Sequence, residues 1–255
     1  MFQNSIINYK MLNMIKSFNL ATTVERYKYA LETIESIYDQ ADIIRVYLND
    51  FNQIPKEFNR KKIHAECGPD LNSSAKFLWC HESDQYYFTV DDDIVYPKSY
   101  AADMINNLNK FNDKICTTFH GRLYSGKKIK SYFNDKLKVY CFHKTVHESV
   151  YVNIIGAGVT AFNTNLVKIN RFLFKYNFMD DIEVSIQLMH NKIPIVVIAH
   201  NEDYFKWTNL YKSQNILTLY EKYKNNDELQ TARFNDVKWE LFKLDSLYNI
   251  KELRV

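Results

Sequence analysis

Three consecutive aspartates, Asp91, Asp92 and Asp93, are the residues whose type and spacing most directly indicate chemistry in this chain. They follow the β-rich apolar run 86–90 and come shortly before Pro97. Adjacent carboxylates repel one another, so they favour a bound hard divalent cation. In an extended segment Asp91 and Asp93 would point to one side and could share that cation, while Asp92 would point away. The alternative is an acidic turn that caps a helix beginning at Pro97.

A second acidic group, Asp180, Asp181 and Glu183, opens a predicted helix with apolar residues at 182, 186 and 189. Carboxylates in a first helical turn complement the helix dipole, so ordinary capping is the alternative to a catalytic role. His200 ends the predicted strand 194–199. A lone histidine at such a place is usually structural or exposed.

Two further segments are candidates for contact with a ligand. Gly156, Ala157 and Gly158 follow the predicted strand 150–155. They would permit close backbone approach to a ligand, a bulge or simply a tight turn. Residues 122–138 hold six basic residues and a single acidic one, Asp135. This composition predicts a mobile basic loop, either solvated or acting as an arm that attracts phosphate.

The elements that must position these residues follow from the apolar pattern. Short apolar runs predict strands at 14–20, 43–48, 63–67, 86–90 and 115–119, with helices in several of the connections. This β-α-β order predicts a parallel sheet, which binds ligands at the carboxyl ends of its strands. Thr22 and Thr23 follow the first strand as a nucleotide contact or as an N-cap. No Gly-x-Gly-x-x-Gly motif follows that strand, which disfavours a dinucleotide-binding fold.

Composition limits the class of protein. The 255 residues are 46% hydrophobic, enough for a sizeable core in one domain, alone or with an appendage. The formal charge of +3 gives no argument for nucleic acid as a partner. Four widely spaced cysteines without zinc-type spacing indicate reduced thiols in a cytoplasmic protein. The apolar runs are too short to span a bilayer, so we expect a soluble or peripheral protein.

The order of these signals along residues 14–205 resembles the GT-A fold of nucleotide-sugar glycosyltransferases, in particular bacterial family-two-like enzymes that build surface polysaccharides. The resemblance rests on Asp91-Asp92-Asp93 as an Asp-x-Asp motif, on the glycine turn 156–158, on the pair Asp180-Asp181, and on His200. It implies an α/β, Rossmann-like fold whose mostly parallel central sheet is flanked by helices. The glycosyltransferase domain would span 1–205, and a helical C-terminal extension, 206–255, would pack on or beside it.

The same resemblance implies a set of ligands and roles. The donor would be a nucleotide sugar, commonly UDP-linked, whose diphosphate is bridged by Mn²⁺ or Mg²⁺. Asp93, Asp91 and His200 would hold the metal. In an inverting enzyme Asp181 would be the base that deprotonates the acceptor hydroxyl, Asp180 would contact the acceptor, and Glu183 would be the reserve candidate.

The resemblance also implies contacts along the substrates. Donor contacts would come from Thr22, Arg26, Asn49, Lys76, Asp91 and Asp92. The acceptor, a glycan or a lipid-linked saccharide, would lie near Gly156, Ala157, Gly158 and Trp207, although core packing is the commoner role for a large aromatic side chain. A pI of about 8.4 allows peripheral contact with an anionic membrane.

Three alternatives remain open at this stage. A retaining glycosyltransferase of the same fold would need no base. A metal-dependent nucleotidyltransferase could use the same carboxylates, although no glycine-rich phosphate loop with a signature lysine lies near the first strand. A catalytically silent carbohydrate-binding relative would keep the fold without turnover.

Overall fold

The computed structural model describes residues 14–209 and 216–240. In this part of the chain, eight strands form a central sheet flanked by helices, and two smaller sheets lie beside it. The strands are β1 Ile15–Thr23, β2 Ile43–Asn49, β3 Ile63–Gly68, β4 Gln85–Val90, β5 Ile94–Val95, β6 Cys116–Thr118, β7 Gly121–Leu123, β8 Lys138–Tyr140, β9 Val150–Val152, β10 Ile154–Ile155, β11 Val159–Asn163, β12 Ile195–Val197 and β13 Lys206–Trp207.

The central sheet has the order β3-β2-β1-β4-β11-β6-β12-β9. Strands β3, β2, β1 and β4 are parallel, and β6 and β12 run in the same direction. Strands β11 and β9 run the opposite way. The mostly parallel α/β sheet predicted from the sequence is therefore confirmed. Strand β4 lies in the middle, and all six of its residues are buried, as its apolar sequence predicts.

Helices cover both faces of this sheet. The α-helices are α1 Tyr27–Ile37, α2 Tyr100–Asn109, α3 Asp180–His190, α4 Leu219–Tyr223 and α5 Glu228–Asn235. Helices α1 and α2 pack on one face through Ile34, Met104 and neighbouring apolar residues. The other face is covered by α3, through Val184 and Leu188, and by the 3₁₀ helix Asn72–Phe77. Two more 3₁₀ helices span Lys56–Phe58 and Arg171–Leu173.

The segment 122–138 is largely a loop, as its composition predicts, but this loop is not wholly solvated. Its ends belong to β7 and β8, which pair with each other, and β7 also pairs with β10. Tyr124, Ile129 and Tyr132 are buried between these strands and the helices α3 and α5. Most lysines of the loop are exposed, as predicted, whereas these three apolar side chains are buried, which the basic composition did not indicate.

The predicted strand 150–155 is divided between two sheets. Strand β9 pairs with β12 in the central sheet, whereas β10 pairs with β7. Asn153 lies at the division, and its side-chain oxygen accepts a hydrogen bond from the Tyr124 backbone at 2.8 Å. The apolar run is continuous, but the chain changes partners at this polar residue.

The C-terminal extension contributes to the fold where it is described. Strand β13 pairs with β5, and α5 inserts Phe234 into the cluster that also contains Ile182. The extension is therefore not wholly helical. Residues 1–13 of the predicted domain, and residues 210–215 and 241–255 of the predicted extension, lie outside the described residues. None of the helices within 14–209 and 216–240 is long and apolar enough to cross a membrane.

Candidate active site

The carboxyl ends of β1, β2 and β4 meet at one edge of the central sheet. The strand β11, which runs the other way, begins at the same edge because Val159 pairs with Val90. Its register places Gly158 beside Asp91, and the two chain segments are 67 residues apart in sequence. The sheet topology thus brings the acidic turn and the glycine turn together, as expected for an open α/β sheet.

Asp92 is held from the β1 side of this edge. The Thr22 hydroxyl donates to its Oδ2 at 2.7 Å, and Arg26 Nε lies 3.0 Å from both carboxylate oxygens. Arg26 Nη2 also donates to Asp93 Oδ2 at 3.0 Å. Burial lowers the pKa of Arg26, but Asp92 and Asp93 outweigh this effect and raise it. Asp92 is only 5% exposed, so its role in this arrangement is to anchor Arg26.

Asp91 lies on the other side of the turn, against Lys76. The Lys76 ammonium contacts Asp91 Oδ1 and lies 3.8 Å from Asp180 Oδ2. Lys76 is almost completely buried in the 3₁₀ helix that precedes β4, whereas the side chain of Asp91 is 41% exposed. Burial opposes the charge of Lys76, but Asp91 and Asp180 raise its pKa above the usual value. A single buried cation therefore links the two acidic motifs.

The expectation that Asp91 and Asp93 share one side, with Asp92 opposite, does not describe these contacts. Arg26 holds Asp92 and Asp93, and Lys76 holds Asp91. The reason is local: β4 ends at Val90, and Asp92 and Asp93 form a turn, so the alternation of an extended strand stops there.

The glycine turn fits against the acidic turn with no room for side chains. A Cβ on Gly158 would lie 1.8 Å from Asp91 Oδ2, and one on Gly156 would lie 2.6 Å from the Cβ of His120. The Tyr96 hydroxyl accepts a hydrogen bond from the Asp91 backbone at 2.9 Å and donates to the Gly158 carbonyl. The segment is a tight turn, because Val159 N–H bonds to the Gly156 carbonyl. It also lies close to the turn that contains Asp91, to which Tyr96 links it.

Asp181 faces this turn from the start of α3. Its Oδ1 accepts from the Ala157 backbone N–H at 2.9 Å, and its Oδ2 pairs with Arg122 at 2.8 Å. The side chain is 29% exposed. Burial alone would lower the pKa of Arg122. Tyr132 and Asp181 have the larger combined effect and raise this pKa above its usual value, so the guanidinium stays charged. Each carboxylate oxygen of Asp181 keeps a second lone pair for a substrate hydroxyl.

Asp180, its neighbour, is more deeply buried. The Ser73 hydroxyl donates to its Oδ1 at 2.7 Å, while its buried Oδ2 accepts no hydrogen bond. Burial raises the pKa of this carboxyl to about 6, Lys76 opposes the increase, and the charge of Asp181 adds to it. Within the described residues Asp180 therefore has one oxygen without a hydrogen bond, and Lys76, 3.8 Å away, is the ion-pair partner of that oxygen.

The constellation carries more negative than positive charge. Among the described residues, five carboxylates (Asp91, Asp92, Asp93, Asp180 and Asp181) form ion pairs with three cations (Arg26, Lys76 and Arg122), which leaves a formal excess of two negative charges in the directly paired set. Arg171 acts on Asp180 from outside this set. The excess is most evident at Asp93: burial and the charges of Asp91 and Asp92 raise its pKa to about 7 despite Arg26. A divalent cation would neutralise this excess.

The predicted metal ligands fit this role unequally. The charges of Asp91 and Asp93 affect each other, and among the described residues each has one carboxylate oxygen in an ion pair, Asp91 Oδ1 with Lys76 and Asp93 Oδ2 with Arg26. The ring of His200, in contrast, lies with Nδ1 2.6 Å from the Ile198 carbonyl and Nε2 3.2 Å from the Cys141 carbonyl. In the described residues no three His, Cys, Asp or Glu side chains are grouped to hold a metal. Magnesium sites commonly use only one or two protein carboxylates, together with phosphate oxygens of the substrate. Asp91 and Asp93 could supply the two carboxylates.

Three other predicted residues form their contacts with groups other than the five carboxylates. Glu183 is 1% exposed and forms a two-point ion pair with Arg233 of α5, at 2.9 and 2.8 Å. Asn49 bonds to the backbone of Thr22 and of the 3₁₀ helix region, so it ties these segments together. Trp207 lies in β13 opposite Ile94, 38% exposed and 5.0 Å from the ring of Phe142.

The capping alternative is wrong for the turn at residues 91–93, whereas at α3 the residues Asp180, Asp181 and Glu183 do lie in the first helical turn, where they complement the helix dipole as that alternative expects. Helix α2 begins at Tyr100, and neither its N-cap Ser99 nor the N-cap Met179 of α3 makes a side-chain capping bond. The carboxylates of both motifs bind cations, hydroxyls or the Ala157 N–H instead. Thr22 and Thr23 are not caps either, because β1 extends to Thr23 and Arg26 is the N-cap of α1.

Sequence reasoning missed Tyr96, Ser73, His120 and the site role of Arg122. Arg122 follows the end of β6 at the same edge of the sheet, and this position could have identified it. No pattern in the sequence indicates the other three, because their contacts depend on how separate turns pack. The four cysteines are free thiols, in agreement with the prediction.

No protein-family model and no curated protein matches the sequence. The assignment of a function therefore depends on the geometry of the acidic edge, by which we mean the edge of the sheet where Asp91, Asp92, Asp93, Asp180 and Asp181 lie.

Proposed function

We propose that the protein is a metal-dependent glycosyltransferase of the GT-A type, which transfers a sugar from a nucleotide diphosphate to a hydroxyl of a glycan. The observation that carries this proposal is the excess of two negative charges where Asp91, Lys76 and the 156–158 turn meet. An anionic diphosphate would not bind such a surface alone. With a divalent cation it would, because the metal binds carboxylate and phosphate oxygens together.

Mn²⁺ or Mg²⁺ would be held by Asp91 and Asp93, and when bound it would supply charge neutralisation for the leaving diphosphate. Arg26 and Lys76 are the cations nearest to these carboxylates and would position them. His200 is not included in this proposal, because both of its ring nitrogens lie against backbone carbonyls. A ligand needs a free nitrogen lone pair.

Asp181 is the base that the geometry favours over Asp180. It is the more exposed of the two side chains, 29% against 9%, and its oxygens are oriented by Arg122 and by the Ala157 N–H. A hydroxyl bound beside the glycine turn could donate its proton to a remaining lone pair of Asp181. Inversion at the anomeric carbon follows if Asp181 acts as the base of a single displacement, in which the acceptor oxygen bonds to the anomeric carbon as the bond to the leaving diphosphate breaks.

The experiment is thermal stabilisation by a panel of nucleoside diphosphates, each with and without Mn²⁺. It compares the wild type with Asp91→Asn, Asp93→Asn and the exposed control Asp39→Asn. A ligand at about 100 times its Kd adds about 2.7 kcal/mol, or roughly 5–10 °C in Tm for a domain of this size. We expect this shift with one nucleotide and metal, in the wild type and in Asp39→Asn but not in the other two variants.

Chromatographic analysis of the matching nucleotide sugar then identifies the reaction. Release of the nucleoside diphosphate with transfer of the sugar supports the proposal, and the anomeric configuration of the product separates inversion from retention. Formation of a nucleotide sugar from a nucleoside triphosphate and a sugar phosphate would identify a nucleotidyltransferase instead. If no nucleotide stabilises the wild type with or without metal, the proposal fails.

A further inference from the structure

The 3₁₀ helix Arg171–Leu173 exposes two adjacent large hydrophobic side chains. Phe172 is 80% exposed and Leu173 is 67% exposed. Single exposed apolar residues are common on soluble proteins, but a neighbouring pair at the tip of a turn presents a continuous apolar point to solvent. This point lies outside the acidic edge described above.

The turn is anchored on both sides of the pair. Arg171 and Phe174 are 8% and 9% exposed, and the Phe174 ring packs on Phe77. The Asn170 side chain accepts from the Phe172 N–H at 3.0 Å. Gln187 of α3 bonds to both the N–H and the carbonyl of Asn170. Because the backbone is already held, little backbone entropy remains to be lost when the two side chains meet a partner.

The chain segment that carries this turn is basic, although its buried Arg171 lies within electrostatic range of Asp180 and Glu183. Residues 149–179 contain Lys168, Arg171 and Lys175 and no Asp or Glu. Lys168 and Lys175 are exposed, and the Lys175 ammonium lies 5.5 Å from the ring of Tyr176. Only one carboxylate, Asp236, pairs with a lysine of this segment within the described residues, at 3.2 Å from Lys175. We call Phe172, Leu173, Lys168 and Lys175 the apolar-basic tip.

We infer that the apolar-basic tip docks the protein on an anionic phospholipid bilayer. Phe172 and Leu173 enter the headgroup region, and Lys168 and Lys175 contact lipid phosphates. Exposed aromatic and aliphatic side chains beside lysines are the composition of interfacial membrane contacts. A stable protein interface needs about 800 Å² from each partner, more than two side chains projecting from a turn provide. The inference does not depend on the proposed sugar transfer.

The test is co-sedimentation of the full chain with phosphatidylcholine vesicles, either pure or with phosphatidylglycerol as about a quarter of the lipid. The wild type is expected to bind only the anionic vesicles, and less at high salt because the lysine contacts are screened. Phe172→Ser/Leu173→Ser should reduce this binding roughly tenfold or more, and Lys168→Gln/Lys175→Gln should also weaken it. Ile54→Ser, which changes a 47%-exposed hydrophobic on another loop, should bind as the wild type does.

The inference is overturned if the wild type does not bind anionic vesicles, or if the serine variant binds as well as the wild type. It is also overturned if the serine variant turns a self-associated wild type into a monomer, since a second copy then covers the tip. Should thermal melting show that the serine variant is unfolded, the glutamine variant decides, and unchanged binding by it overturns the inference. Nucleotide-dependent stabilisation should be the same in all these variants, so this test fails or succeeds separately from the proposed function.

Discussion

Helix α3 carries its carboxylates in two different settings. Glu183 is 1% exposed and is matched by Arg233 through two hydrogen bonds. One turn earlier, Asp180 shares Lys76 with Asp91 of the turn after β4, and Asp181 pairs with Arg122. In this cluster the carboxylates outnumber their ion-paired cations by two. In the sequence the three residues form one acidic group. In the fold, one belongs to a balanced pair and two belong to an unbalanced cluster.

The difference separates a structural contact from a candidate for chemistry. A balanced buried pair stabilises the packing only while both partners are present, because either charge alone would be buried without compensation. An unbalanced cluster is unfavourable in the isolated protein, as the raised pKa of Asp93 and Asp180 indicates. Such a cluster is typical of a site that binds a cation or a proton-donating ligand.

The largest expected effect is a separation of activity from stability by two substitutions on α3. Asp181→Asn should lower sugar transfer by about 10²–10⁴-fold, because an amide cannot accept the proton of the acceptor hydroxyl. Glu183→Gln should reduce the free energy of unfolding while the folded fraction keeps its specific activity. Initial rates and urea unfolding curves, measured on the same preparations, test both statements. Equal loss of activity in the two variants would contradict the assignment of the base.

The next effect concerns the balanced pair alone. Arg233→Met leaves Glu183 buried without a partner and should cost about 3–5 kcal/mol of unfolding free energy. Adding Glu183→Gln to this variant should recover part of the loss, since the uncompensated charge is removed. Lys175→Met is the control: it breaks an exposed pair with Asp236 near the same helix, and the change should stay within about 1 kcal/mol. A similar cost in both methionine variants would show that the burial of Glu183 does not matter.

A smaller effect is expected where the glycine turn meets the acidic turn. In Gly158→Ala the new Cβ would lie 1.8 Å from Asp91 Oδ2, so the carboxylate or the turn must move. We expect a loss of about 1–3 kcal/mol in stability, together with loss of the metal-dependent nucleotide shift. Gly126→Ala, at a glycine with φ 76° away from the carboxylates, should lower stability but keep the nucleotide shift. Unimpaired nucleotide binding in Gly158→Ala would remove Asp91 from the site.

The sequence predicted the positions of the main strands and which motifs meet at their ends. Strand β4 could be predicted because a fully buried central strand needs a continuous apolar run. The strand pattern places Asp91 at the ligand-binding edge of the sheet, whereas Lys76 and Asp180 lie in helices and are grouped with Asp91 only by the family resemblance. The predictions for β4 and Asp91 use only short-range pattern and general topology, which a single sequence contains.

The remaining features depend on contacts between distant segments. Glu183 pairs with Arg233 across 50 residues, and no spacing rule relates the two. The turn at Asp92 and Asp93 ends the strand alternation, so the side on which each carboxylate lies could not be read from periodicity. At Asn153 the backbone changes sheets within an apolar run that looks like one strand. In each case the local sequence pattern is real, but contacts with distant segments determine the conformation that the residues adopt.

The smallest expected effect is a pH dependence of stability that arises in the unbalanced cluster. The pKa of Asp180 is raised from 3.8 to about 6 in the folded protein. Between these values the native state retains a proton that the unfolded chain has lost, so stability should fall as the pH rises from about 4 to 6. Above that range the carboxyl is ionised in both states, and this contribution stops changing.

Asp180→Asn should remove this part of the slope, because the amide does not titrate and can still accept the hydrogen bond from Ser73. The expected difference between pH 4 and 7 is on the order of 1 kcal/mol, measured as the midpoint of urea unfolding at each pH. Glu183→Gln is the matched comparison, since it removes a carboxylate from the balanced pair of the same helix. If the two variants flatten the pH profile equally, the distinction between a balanced pair and an unbalanced cluster does not hold for this helix.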